Sequence, residues 1–276
     1  MKFARHRTAE GQRPIVQGGD GRWRDLTSLT PDLTAEFVAV AGTLDLSVLP
    51  EINEPTDFVA PLASVGKIVC VGLNYRDHAA ETGAEPPREP ILFLKAADTV
   101  IGPDDDVLIP RRSVKTDWEV ELAIVMGTTA RYLDSVDDAA ACIAGYTISN
   151  DVSEREFQIE RGGQWDKGKN CETFNPLGPW LVTPDEVPDP QNLGMRLWVN
   201  GVQRQDGNTS NMIFGVDYLV WYISQFMVLY PGDVINSGTP AGVAMGMTDT
   251  PYLRDGDVVE VEIDGLGRQR QAFIQA

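Results

Sequence analysis

Apolar and polar residues alternate along residues 117–126, DWEVELAIVM, with the period of two that marks a strand. Trp118, Val120, Leu122 and Ile124 fall on one side, and Glu119, Glu121, Ala123 and Val125 on the other. Apolar runs of strand length recur at residues 67–73, 90–95, 107–110, 145–153 and 231–235. Asn200-Gly201 predicts a hairpin turn within 197–203, and Asp264-Gly265 joins two closing strands, 257–263 and 268–274. Helical spacing of Ile213, Val216, Leu219, Val220, Ile223 and Met227 predicts a core-facing helix over 212–227. A second helix is expected over 134–144 from around Ser135, with helical turns at 74–81 and 154–161.

Residues 1–62 read as a small separate unit, leaving 63–276 as the main domain. Short strands are expected at 3–7, 14–17 and 23–26, with a turn at Gly18-Gly19-Asp20-Gly21. Thr30-Pro31-Asp32-Leu33 caps a helix, 44–49 is another short element, and 53–61 reads as the linker. His6 lies on the terminal strand and reads as non-catalytic.

A net charge of −18 over 276 residues argues against nucleic acid or an anionic membrane as partner, since both demand a basic footprint. An anionic substrate would need a local positive site. Cys70, Cys142 and Cys171 are too few and too scattered for a disulfide framework or a CxxC metal site, which suits a reducing compartment. With no apolar stretch of about 18 residues and no signal-peptide core, the expected location is cytoplasmic.

Glu119 and Glu121 share a strand face about 6.5–7 Å apart. Burying both unpaired would cost many kcal/mol. Either a hard divalent cation sits there, or this is an edge strand whose glutamates meet water, Arg111, Arg112 or Lys115. Asp151, at the end of the 145–153 strand, is positioned to join them. His78 and Glu81, three apart in a helical turn, make either a general base with its orienting carboxylate or an incidental surface pair. Lys95 faces an anionic pocket or only ends its strand; Arg155 and Gln158 share a face and grip a carboxylate or form an internal pair. Residues 163–169 open like a phosphate loop, but Asn170 lacks the needed hydroxyl and no buried strand precedes it, so Lys169 reads better as a cation facing an oxyanion. The small residues of 237–243, with Thr239, suit a bound carboxylate or a plain turn.

Five ordered motifs carry a likeness: V-G-L-N-Y-x-x-H-A-x-E at 71–81, P-x-x-F-x-K at 90–95, D-W-E-V-E-L-A at 117–123, G-Y-x-x-x-N-D-V-S at 145–153 and S-G-T-P-A-G-V at 237–243. From about residue 66 onward the chain resembles the fumarylacetoacetate hydrolase family. The resemblance implies a mainly β fold with a few helices, a mixed β-roll of α+β class, following the small N-terminal domain. It implies Mg²⁺ or Mn²⁺ on Glu119, Glu121 and Asp151, and a lid bearing His78 and Glu81 with His78 as base toward water. Lys169 matches a lysine near the oxyanion; Arg155, Gln158 and Thr239 match positions that hold a 2-oxo acid, and Lys95 is expected beside them. Cys171-Glu172 and Ser237 depart from the usual pattern without touching a metal or lid position.

Residues 115–119, 154–158 and 162–165 are similar to the branch that cleaves 2,4-diketo-3-deoxy sugar acids such as rhamnonate and fuconate derivatives. The implied activity is metal-dependent hydrolytic C–C cleavage of a 2,4-dioxo acid to release pyruvate, by a homodimer. The same scaffold supports oxaloacetate decarboxylation and dienedioate isomerisation or hydration, and a metal-stabilised binding protein without turnover is the rival from another class.

Overall fold

The chain, described by a computed structural model over residues 1–40 and 44–276, opens with a meander of β1 (Lys2–Thr8), β2 (Gly11–Gln17) and β3 (Trp23–Asp25). Helix α1 (Ala35–Val38) starts later than the Thr30 cap implied. Thr30 donates instead to the Asp32 carbonyl at 2.6 Å, and Thr34 caps a single turn by accepting from Phe37 N. The element expected at 44–49 is a 3₁₀ turn, Leu46–Val48. Then come β4 (Phe58–Val59), β5 (Ile68–Gly72), α2 (Arg76–Glu81), β6 (Ile91–Lys95), β7 (Val100–Ile101), β8 (Val107–Ile109) and β9 (Thr116–Asp117).

The alternating stretch yields β10 (Val120–Met126), antiparallel to β11 (Ile143–Asn150). No α-helix forms over 134–144. Its place is taken by two 3₁₀ turns, Val136–Asp138 and Ala140–Cys142, because β11 claims the chain from Ile143, opposite Met126, and leaves too few residues for a longer helix. After β12 (Ser153–Glu154), residues Glu156–Glu160 wind as a π-helix before α3 (Asp166–Lys169) and β13 (Asn175–Val182). The Asn-Gly turn joins β14 (Gly194–Val199) to β15 (Val202–Asn208), as expected. Helix α4 (Val216–Ser224) is shorter than 212–227, since Asn74 captures the backbone donors of Ile213 at 2.7 Å and Phe214 at 2.9 Å. β16 (Val234–Asn236) and the hairpin β17 (Val258–Ile263) and β18 (Gly267–Gln275) complete the chain.

The large mixed sheet runs β3-β2-β1-β13-β11-β10-β16-β5-β6, with β4 on β1 and β7 on β13; a second sheet runs β15-β14-β17-β18-β8. β10 lies inside the first and is buried on both faces. Trp118, Val120, Leu122 and Ile124 pack with Leu197, Val261 and Leu219, while Ala123 and Val125 pack with Ile68, Leu177, Phe3 and Val16. This is the mainly β, α+β roll that the motifs implied. The boundary expected at 62/63 is crossed both by the sheet, through Phe3 opposite Leu181, and by that second core cluster. Among the described residues no helix is long and apolar enough to cross a membrane.

Candidate active site

Strand register builds the acidic centre. Val120 pairs with Asn150, so the next residue of β11's chain, Asp151, falls beside Glu119, and Asp151 N donates to the Glu119 carbonyl at 2.9 Å. Glu121 lies one alternation further along the same face. One oxygen from each of Glu119, Glu121 and Asp151 falls within 4.8 Å of the others, and all three residues are buried.

Two of the three already meet cations, which local reading did not reveal. Glu119 Oε2 accepts from Lys169 Nζ at 2.6 Å, and its Oε1 lies 2.7 Å from Arg155 Nη2, a charge contact without hydrogen-bond alignment. Asp151 accepts from Lys169 at 2.9 Å and from Lys95. The nearby candidates Arg111 and Arg112 are exposed, and Lys115 pairs with Glu160. Glu121 differs. It accepts the backbone N–H of Gly238 at 2.7 Å and has no ion pair among the described residues. Counting Asp117, which pairs with Arg155, four carboxylates face three cations, Lys95, Arg155 and Lys169.

The electrostatics follow this imbalance. Burial pushes Glu121 well above the usual carboxylate range, and the charges of Asp151 and Glu119 push the same way. Burial also works against Glu119, but Lys169 and Arg155 hold it at about 2. Lys169 is buried, yet Asp151 and Glu119 keep it above the ordinary lysine value. A buried oxygen donor set with one uncompensated carboxylate fits a hard divalent cation, which takes such ligands.

The surrounding elements aim the other expected residues. Gly168 lets α3 press onto the end of β12 and the π-helix, since a Cβ there would lie 2.3 Å from the Glu154 carbonyl oxygen and 2.6 Å from Gln158 N; that approach brings Lys169 to the carboxylates. Arg155 Nη1 donates to Gln158 Oε1 at 3.0 Å, so the two do share a face. His78, 6% exposed, places Nδ1 3.3 Å from Glu81 Oε2. Thr239 is buried and accepts from Gln205 Nε2 at 2.8 Å. His78, Glu119, Glu121, Arg155, Gln158, Lys169 and Thr239 all line one cavity of about 210 Å³.

Three expected residues do not line it: Asp151, which stays within the acidic cluster but off the cavity wall, Glu81 and Lys95. Glu81 sits behind His78, its Oε1 accepting from Gly242 N at 3.0 Å. Lys95, expected on the substrate, lies beneath Asp151 and donates to the carbonyls of Val152 at 3.2 Å and Phe174 at 2.6 Å. Its ammonium is enclosed by these acceptors. Most of the rest of the wall, including Leu73, Ala84, Phe93, Ile159, Trp165 and Met245, was not anticipated, because an apolar lining residue looks in sequence like any core residue.

The family profile described as "Fumarylacetoacetate (FAA) hydrolase C-terminal" matches residues 67–274. The chain is 48% identical over 272 residues to a 2,4-didehydro-3-deoxy-L-rhamnonate hydrolase of Sphingomonas sp. (strain SKA58), covering 98% of this chain and 95% of that one. Among solved structures, a fumarylacetoacetate hydrolase from psychrophilic Exiguobacterium antarcticum matches with a TM-score of 0.89 at 35% identity, covering 100% of both chains. A 5-carboxymethyl-2-hydroxymuconate delta-isomerase from Mycobacterium smegmatis matches with a TM-score of 0.78 at 32% identity, covering 100% of this chain and 99% of that one. With its motifs, its fold and three quarters of its length in agreement, the chain belongs to the fumarylacetoacetate hydrolase family.

Proposed function

We propose that the chain is a divalent-metal-dependent hydrolase that cleaves a C–C bond in a 2,4-dioxo acid, an acylpyruvate or a 2,4-diketo-3-deoxy sugar acid, and releases pyruvate. The observation that carries this reading is the convergence of three buried carboxylates, of which Glu119 and Glu121 face the cavity that His78 also lines and Glu121 has no ion pair among the described residues. Glu119, Glu121 and Asp151 would hold Mg²⁺ or Mn²⁺, and the bound ion supplies Lewis-acid polarisation of the 2-oxo acid. Arg155, Gln158 and Thr239 orient the acid end. Glu81 at Nδ1 fixes the tautomer of His78 and leaves Nε2 to take a proton from water. That water attacks C4, the C3–C4 bond breaks, and its electron pair moves onto the 2-oxo group as pyruvate enolate. The Lys169 ammonium steadies the negative charge until C3 is protonated.

The name of the Sphingomonas relative favours a sugar-acid substrate, for which the products would be pyruvate and a small hydroxy acid such as lactate. The cavity favours the same side over a dienedioate. Its lysine and arginine, Lys169 and Arg155, both gather at Glu119, and the remaining wall is largely apolar. A second carboxylate at the distal end of a substrate would meet no counter-charge there, in a chain already at −18. We therefore expect acylpyruvates with a neutral acyl end to be cleaved with kcat/KM at least about tenfold above analogues ending in a carboxylate, a discrimination of about 1.4 kcal/mol. Equal rates would favour the dienedioate branch.

The deciding experiment is a pyruvate-release screen over acylpyruvates, diketo sugar acids and oxaloacetate, with and without EDTA. Release from none of them, alongside a Mg²⁺-induced rise in melting temperature, would leave a metal-stabilised binding protein. Homodimeric assembly belongs to the same reading and is checked by light scattering.

A further inference from the structure

Asp117 is wholly buried, at the end of β9 and two residues before Glu119. A carboxylate in that position must be satisfied by donors, and this one is filled on both oxygens. Oδ1 accepts from Trp118 N and Ala244 N, both at 2.8 Å. Oδ2 accepts from Arg155 Nε at 2.8 Å and Met245 N at 3.1 Å. With four donors in place it has no lone pair left for a metal or a substrate. It can act only through what it holds.

What it holds are two separate parts of the site. By taking Nε of Arg155, Asp117 turns the forked end of the guanidinium toward Glu119 and Gln158. By taking the N–H groups of Ala244 and Met245, it fastens the 3₁₀ turn Ala244–Gly246 that follows the Thr239 loop. Glu81 lands on that strip. Gly242 N donates to it at 3.0 Å, and a Cβ on Gly246 would lie 2.3 Å from its carboxyl carbon.

We infer that Asp117 is a positioning residue that sets the substrate-gripping arginine and the seat of the His78–Glu81 segment from one carboxylate. The inference rests on the roles proposed above for Arg155 and Glu81. Asp117→Asn keeps the shape but replaces one acceptor with an NH₂ group, so it faces donors with a donor on either the Arg155 or the backbone side. The expected result is a KM raised about tenfold and a kcat lowered about tenfold or more, with Mg²⁺ affinity within about twofold of wild type by calorimetry.

A second readout needs no turnover. Arg88 is exposed in the loop after α2, and Mg²⁺ with oxalate, a mimic of the pyruvate enolate, should slow tryptic cleavage there in the wild type but not in Asp117→Asn. Should that variant fail to fold, Asp117→Glu, which keeps the charge but displaces it by one methylene, is read in the same assays. Wild-type KM, kcat and protection in the variant overturn the inference, as does an absence of protection in the wild type or a loss of Mg²⁺ affinity in parallel with everything else. A wild type that is protected yet cleaves no dioxo acid overturns the proposed reaction and leaves the Asp117 arrangement standing.

Discussion

Hydrolysis of a 2,4-dioxo acid is expected to fall by about 10²- to 10⁴-fold when His78 becomes alanine, the range for loss of a positioned general base. Decarboxylation of oxaloacetate, if the chain performs it, should stay within a few-fold of the wild-type rate in the same variant. The reason lies in which step needs the imidazole. Water attack at C4 requires proton removal, whereas loss of the C4 carboxylate of oxaloacetate as CO₂ breaks the C3–C4 bond and requires only that the resulting pyruvate enolate be stabilised, a task for Lys169 and for the cation that Glu119, Glu121 and Asp151 would hold. Removing His78 leaves the hydrogen bonds of those groups in place, because the imidazole is bonded to Glu81 and not to one of the three carboxylates. Both rates are read by coupled pyruvate assay; a His78→Ala enzyme that hydrolyses at the wild-type rate would count against the base assignment.

Glu121→Gln is expected to abolish metal-dependent turnover while stabilising the metal-free protein. Among the described residues it alone of the three carboxylates has no ion pair, so in the absence of metal its carboxyl group is met in the interior by one backbone N–H. The amide removes that burden, and in a chain of this size each kcal/mol relieved raises the melting temperature by about 2–4 °C. The pH dependence has a definite sign. Glu121 is pushed above its ordinary value, so the folded metal-free chain binds more protons than the unfolded one, and stability drops as pH climbs from 4.5 through the raised value. Glu119 acts in the opposite sense: held at about 2, its contribution is present above 4.5 and disappears as pH falls through 2. Melting curves between pH 5 and 8 should therefore slope downward more without metal than with saturating Mg²⁺, and Glu121→Gln should remove that difference, leaving the rise up to about pH 6.5 that burial of His6, which lowers its value, contributes in every case.

Much of this site could be read from the chain because it rests on period and adjacency. Trp118, Val120, Leu122 and Ile124 alternate with Glu119 and Glu121, and His78 stands three residues before Glu81, so neighbours in sequence were enough to bring each pair to one face. The neutralising groups were hidden for the opposite reason. Lys169 is 50 residues from Glu119 and Lys95 is 56 from Asp151, so nothing near either acid announces its partner. Asp117 was hidden too, since an aspartate at a strand start has no local mark that separates a saturated anchor from a solvated residue. The Ala- and Asp-rich 134–144 stretch favoured a helix on composition, but pairing of Ile143 with Met126 overrode that preference.

The N-terminal meander has one more effect. β1 covers one side of β13 at Leu181 and Val182, and Phe3, Val16 and Leu26 lie over apolar residues of the large sheet. A shortened chain starting at residue 63 would keep every residue named around the cavity but carry a raw hem of unpaired backbone beside an uncovered greasy surface. Such an edge recruits strands from other molecules. Clumping during expression, rather than a damaged catalytic centre, would be the first sign of that cut.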